Sequence, residues 1–183
     1  PFEVNLPSSI NQEFSIRDYG TGLSEKDLTT LYLTYGESTK DNPNNKKSNE
    51  LIGCFGIGSK SPFAYVDMFN VTSFYNGSKN TYTIFLDEGI PKCIKIHSAK
   101  TKEENGLKIS FNVEEKDVNT FKEKAEQVFK YFQMKPNLNM EINISKDIYD
   151  IDNEEFSYSS KGKNGRIYAL QGNIAYPVDE SIR

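Results

Sequence analysis

Two glycine-bearing stretches constrain this chain more than any other part of it. They are Asp18-Tyr19-Gly20-Thr21-Gly22 and, beyond residues 23–52, Gly53-Cys54-Phe55-Gly56-Ile57-Gly58-Ser59-Lys60-Ser61. The first puts a carboxylate at the end of a predicted strand, beside glycines that let the backbone turn sharply. The second is a glycine-rich loop running into a predicted helix start, where backbone N–H groups face an anion. A carboxylate there can hold a base through its amino group, and a glycine-rich helix start can hold phosphates. Together they point to a pocket for ATP.

The 183 residues suffice for one domain with a real core and part of a second. There is no Trp, but 12 Phe and 11 Tyr, so aromatics are expected to carry much of the core. A net charge of −4 argues against binding nucleic acid over the whole surface, though not against a local basic patch. Two cysteines, Cys54 and Cys93, suit a reduced cytosolic chain. With only His97 beside them, they make a poor metal set. No stretch has the length and apolarity of a membrane-spanning helix, and the opening Pro1-Phe2-Glu3-Val4 is not a signal peptide.

Alternation predicts short strands over residues 2–6 and 14–17, pairing as antiparallel neighbours. Residues 24–35 read as a helix: Ser24 is an N-cap, Glu25 and Asp27 fall in the first turn, and Leu28, Leu31, Tyr32 and Tyr35 share a face. Residues 37–49 are polar, placed to form a lid between the two glycine stretches. A second helix is predicted after Gly58 through Phe69. Strands follow over 71–75 and 79–86, around the hairpin signal Asn76-Gly77, and over 91–97 and 106–113. Val118, Phe121, Ala125, Val128, Phe129 and Phe132 mark an amphipathic helix, and residues 140–144 read as a strand. The predicted organisation is a nucleotide-binding domain over 1–145, a linker over 146–163, and the start of a further β-containing region over 164–183, with strands at 166–170 and 173–178. The fold class is α+β: a two-layer sandwich, with a mostly antiparallel sheet covered by helices on one face.

These stretches resemble the GHKL superfamily of ATPases, the Bergerat fold of gyrase B subunits, MutL, the large heat-shock chaperones and histidine kinases. Asp18 to Gly22 looks like its first box and Gly53 to Gly58 like its second. Gly106-Leu107-Lys108-Ile109 looks like the third segment of the chaperone branch. Tyr35-Gly36-Glu37-Ser38-Thr39-Lys40, the run from Phe55 to Tyr65, and Gly172-Asn173-Ile174-Ala175-Tyr176-Pro177 are similar to the phage rIIA-type lysis-inhibition proteins.

The resemblance implies ATP or ADP with Mg²⁺ as ligand. In it Asp18 accepts a hydrogen bond from the adenine amino group; the alternative is an Asp that only caps a turn. Gly20 and Gly22 allow close approach to the base, or form the same turn without one. Gly53, Phe55, Gly56, Ile57, Gly58, Ser59 and Lys60 make the phosphate end. Lys60 in a first helical turn opposes the helix dipole unless an anion lies there, and the other reading is a solvated Lys. Ser38, Thr39 and Lys40 reach the nucleotide from the lid, or form a plain polar loop. The third segment usually has Thr after Gly. Leu107 stands there, so either the base is held with one polar contact fewer or a neighbour such as Ser110 compensates.

The family's catalytic step needs a helix ahead of the first strands carrying a Glu that activates water and an Asn that holds Mg²⁺. No helical pattern with both precedes Asp18, so the expectation is a chain without its general base and metal ligand. A fragment and a degenerate protein both fit, and the absent initiator Met favours a fragment. The resemblance further implies lid closure and homodimerisation in the full-length parent. It also implies a role in lysis timing or host–phage conflict, in the host cytoplasm at the inner membrane face. A chaperone or DNA-repair ATPase of the superfamily, and a non-hydrolysing interaction module, are the competing functions.

Overall fold

The computed structural model describes residues 2–33, 58–132, 134–144, 150–153, 156–158, 167–171 and 174–178. Strands β1 (Glu3–Asn5) and β2 (Glu13–Arg17) come first, then helix α1 (Glu25–Leu33). A 3-10 turn over Gly58–Ala64 leads into β3 (Met68–Tyr75), β4 (Ser78–Asp87), β5 (Ile90–Lys100) and β6 (Gly106–Asn112). Helix α2 (Val118–Phe129) follows, and the short β7 (Asn137–Leu138) completes the main sheet. The sheet order is β5-β4-β3-β6-β2-β1-β7. Every pairing is antiparallel except that of β1 with β7. The expected α+β architecture, and the neighbouring first two strands, are therefore found.

Strand alternation sorts the two faces. Phe69 and Val71 of β3, Tyr82 and Ile84 of β4, and Leu107, Ile109 and Phe111 of β6 point one way. They meet Leu28 and Tyr32 of α1. Val4 and Phe14 pack with Leu6, Ala125 and Phe129 in a second cluster under α2. Phe121 of α2 bridges the two through edge contacts with Phe14 at 5.3 Å and Phe111 at 6.2 Å. The Tyr65 hydroxyl fastens the helix start, donating to Asp117 Oδ2 at 2.8 Å and accepting from Glu114 N at 3.1 Å. The opposite face is polar and carries rungs such as Thr72 to Thr81 and Thr83 to Asn70.

Local signals act as expected at two ends. Ser24 Oγ accepts from Asp27 N at 3.2 Å, capping α1. Asn76 and Gly77 take φ of 48° and 72°, the mirror turn that joins β3 to β4.

Two elements differ from the sequence pattern. The helix predicted through Phe69 is only the 3-10 turn Gly58–Ala64, with Pro62 inside it. Tyr65 N and Val66 N both bond the Pro62 carbonyl, and the chain then extends into β3 so that Phe69 and Val71 can pack under α1. The strand predicted over 140–144 does not form, although Met140, Ile142 and Ile144 do pack toward the second cluster. The ladder ends at Asn139, whose amide binds both N and O of Leu6, at 2.8 and 3.0 Å. Asn143 N is taken by Glu126 Oε1. Alternation correctly reported burial there, but the ladder bonds went to side chains.

Beyond the main sheet lie two small antiparallel pairs. One joins β8 (Ile151–Asp152) to β9 (Ser157–Tyr158), the other β10 (Tyr168–Gln171) to β11 (Ile174–Pro177). No helix among the described residues is long and apolar enough to cross a membrane.

Candidate functional site

Asp18 follows directly on β2, where β2 and β6 part. Its backbone N donates to Leu107 O at 2.9 Å. Its carboxylate Oδ1 accepts two backbone N–H groups, Gly20 at 2.9 Å and Leu107 at 3.2 Å. Among the described residues Oδ2 accepts no hydrogen bond, and Asp18 is exposed. The carboxylate is thus oriented by one oxygen and offers the other, the arrangement that receives an exocyclic amino group.

The glycines around it are set by backbone contact. Gly22 has φ of 72°, and a Cβ there would lie 2.1 Å from the Phe74 carbonyl oxygen. Gly106, at the start of β6, has φ of 146°, and its Cβ would lie 2.1 Å from the Asp18 carbonyl oxygen. Both positions need glycine because three strands' backbones close in on the turn.

Ser73 is a residue that motif reasoning passed over. Its hydroxyl, buried in β3, accepts from Leu23 N at 3.0 Å and donates to Leu23 O at 2.7 Å. It fixes the chain between the Asp18 turn and α1. Only its inward register in β3 hinted at this, and a lone serine in a strand carries no motif signal.

Leu107 faces the core beside α1, as its register opposite Ser73 requires. Ser110 does not compensate for it. It stands three residues on, on the polar face opposite Ser15 and Asn70. Strand alternation puts positions 107 and 110 on opposite sides of the sheet. The main-chain N–H of residue 107, not its side chain, is what reaches Asp18.

At the second stretch, Gly58 opens the 3-10 turn. Lys60 is buried, and its ammonium donates to the Leu31 carbonyl at 2.7 Å, with Ser59 Oγ at 3.3 Å. A cation on a carbonyl in the last turn of a helix is favourably placed in the helix dipole. Burial lowers the lysine's pKa below its ordinary value. Ser38, Thr39, Lys40, Gly53, Phe55, Gly56 and Ile57 lie outside the described residues. Tyr32, one residue beyond Leu31, is buried in the core under α1. Burial raises its phenol pKa, with the Asp18 carboxylate and Cys93 as lesser causes.

The residues present fit the base end of a nucleotide site: an oriented, exposed carboxylate above a glycine-lined turn. No group of three His, Cys, Asp or Glu able to hold a metal occurs among the described residues. Mg²⁺ bound with ATP would supply charge neutralisation at the phosphates.

Comparison with known proteins agrees with this fold. The chain is 31% identical over 115 residues to the chaperone protein HtpG of Rickettsia canadensis, covering 60% of this chain and 18% of that protein. It is 38% identical over 100 residues to HtpG of Borrelia garinii subsp. bavariensis, covering 51% and 16%. The chain therefore spans less than a fifth of these relatives. The ATPase region of Saccharomyces cerevisiae topoisomerase II, solved bound to ICRF-187 (dexrazoxane), superposes with a TM-score of 0.53 at 12% identity, covering 75% of this chain and 41% of that one, a likeness of fold. A profile of the histidine kinase-, DNA gyrase B- and HSP90-like ATPases matches residues 2–130, and the chain belongs to that family.

Proposed function

We propose that this chain binds ATP and ADP, with Asp18 accepting the adenine amino group through Oδ2. The observation that carries this is the divided carboxylate, one oxygen held by Gly20 N and Leu107 N and the other bonded to nothing among the described residues. A hydrogen bond to such a charged acceptor contributes about 1.5–3 kcal/mol. Gly20 and Gly22 shape the base side. The backbone N–H groups of the stretch from Gly53 to Lys60 supply the phosphate end, with Ser38, Thr39 and Lys40 closing over it, as the family resemblance implies.

Titration calorimetry of the 183-residue chain with ADP and with Mg²⁺-ATP tests this. Asp18→Asn should weaken ADP binding at least tenfold while the thermal midpoint stays put. No heat with either nucleotide overturns the proposal and leaves a non-hydrolysing interaction module. Unchanged affinity in Asp18→Asn refutes the assigned acceptor.

Within the family, one reading makes the parent protein an rIIA-type phage protein acting on lysis timing, with ATP-driven lid closure, homodimerisation and attachment at the inner membrane face. The run from Phe55 to Tyr65 supports this assignment. The matches to HtpG favour a chaperone-like parent instead. Altered lysis timing on loss of the gene supports the first; suppression of client aggregation by the full-length protein supports the second.

A further inference from the structure

We propose that Arg17 is a positioning residue for the nucleotide site. From the polar face of the sheet it holds the β5–β6 connection where Leu107 N can grip the Asp18 carboxylate. The proposal rests on the nucleotide-binding reading given above.

Arg17 and Asp18 are consecutive, so their side chains leave the strand on opposite sides. On the polar face the Arg17 guanidinium lies 3.7 Å from the Phe74 ring centroid and 5.0 Å from that of Tyr19. Nη1 donates to Glu103 Oε2 and Nη2 to the Glu104 carbonyl, each at 3.0 Å. Lys79 takes the other Glu103 oxygen at 3.0 Å. Arg17, Phe74, Lys79 and Glu103, with Ser15 and Thr72, border a cavity of about 260 Å³. Lys108 stands directly across from Arg17, a like-charge pair that would repel, and it is drawn to Glu13 at 3.0 Å.

The segment that Arg17 holds at Glu103 and Glu104 is the one that Asp18 meets at Gly106 and Leu107. Asp18 N bonds Leu107 O, and Leu107 N bonds Asp18 Oδ1 at 3.2 Å. That last bond is at the long end of the hydrogen-bond range, so a shift of a few tenths of an ångström removes it. Arg17 and Asp18 therefore grip one short connection from two sides, and release on the polar face frees the carboxylate on the other. An exposed ion pair alone normally adds little to stability. The Arg17 side chain is 12% exposed and makes two directed bonds to the connection, which gives it positional control instead.

The test is Arg17→Gln in the 183-residue chain, read by amide NMR and by calorimetry. Hydrogen exchange at the Leu107 amide should quicken at least tenfold and its proton resonance move upfield. ADP affinity should fall about tenfold, the loss expected when one charge-assisted bond is misaligned. Binding of inorganic tripolyphosphate, which has no base, should be unchanged. Arg17→Lys, which keeps the ion pair but loses the fork, should fall between. A folded Arg17→Gln with the Leu107 amide unchanged overturns the proposal. If that variant does not fold, Glu103→Lys, at a half-exposed position, must produce the same amide change, and its absence overturns the proposal equally. If the unmodified chain binds no ADP, the nucleotide reading fails, and the Leu107 amide alone decides for or against the clamp.

Discussion

The two ends of the candidate site are held in different ways. At the carboxylate end the contacts are made by the sheet itself. Gly22 presses on the Phe74 carbonyl, Gly106 on the Asp18 carbonyl, and Ser73 closes on Leu23. Three strands fix the direction of Asp18 before any ligand arrives, which lowers the ordering cost of binding. At the lysine end a 3-10 turn carries Lys60, and its ammonium is committed to the Leu31 carbonyl. A phosphate reaching for Lys60 must take it from a helix end. One end presents outward a carboxylate oxygen that is unbonded among the described residues; the described part of the other is built toward its own fold.

The sharpest way to break this comparison is Gly22→Ala. The added Cβ meets backbone, not a flexible side chain, and φ of 72° is strained for any residue with a Cβ. The expected loss exceeds about 4 kcal/mol, or the chain fails to fold. Thermal unfolding reads it, and a midpoint within a few degrees of the unmodified chain would mean that the turn is looser than its contacts suggest. Ser73→Ala comes next. It leaves Leu23 N and O without their partner at a buried position, for a loss of about 1–3 kcal/mol in urea unfolding.

The same contrast explains what could be read in the sequence. The Asp18 turn onto Gly20 N, the Asn76-Gly77 hairpin and the Ser24 cap act through neighbours a few residues away, so local pattern carried them; the bond from Leu107 N to Asp18 lies beyond its reach. The helix expected through Phe69 failed because Phe69 is needed by α1 from across the fold. The strand expected at 140–144 failed because Asn139 and Glu126, side chains with no strand signal, took the ladder's bonds. Ser73 and Arg17 depend on which strands stand side by side, and β3, β6 and β2 are far apart in the chain. Ser110 was misplaced for a simpler reason: an odd step along a strand changes face.

Tyr32 offers a measure of the coupling between the ends. Its phenol pKa is raised above the ordinary 10.0 by burial first and by the Asp18 charge second. Below pH 10 the folded and unfolded chains both keep this proton, so Tyr32 adds no pH dependence. As pH rises past 10 the unfolded chain releases it and the folded chain does not. Stability then falls by about 1.4 kcal/mol per pH unit from this group. Denaturation followed from pH 9 to 11 should show the decline. Tyr32→Phe should flatten part of it, and Asp18→Asn should bring the Tyr32 titration down toward 10, seen in tyrosinate absorbance. A Tyr32 titration unmoved by Asp18→Asn would separate the two ends electrostatically.

The smallest expected effect belongs to Lys60→Met. It deletes the bond to the Leu31 carbonyl but also relieves a buried charge whose pKa is already lowered, so the two changes partly cancel. The net loss of stability should be about 1 kcal/mol, appearing first as fraying of the last turn of α1. Nucleotide affinity should change less than threefold, because the ammonium is occupied within the fold. A tenfold loss of Mg²⁺-ATP affinity at that small stability cost would show the opposite: Lys60 leaves Leu31 for a phosphate, and the lysine end is as directed toward the ligand as the carboxylate end. Stability and affinity measured on the same variant therefore decide whether the asymmetry belongs to the bound state or only to the free one.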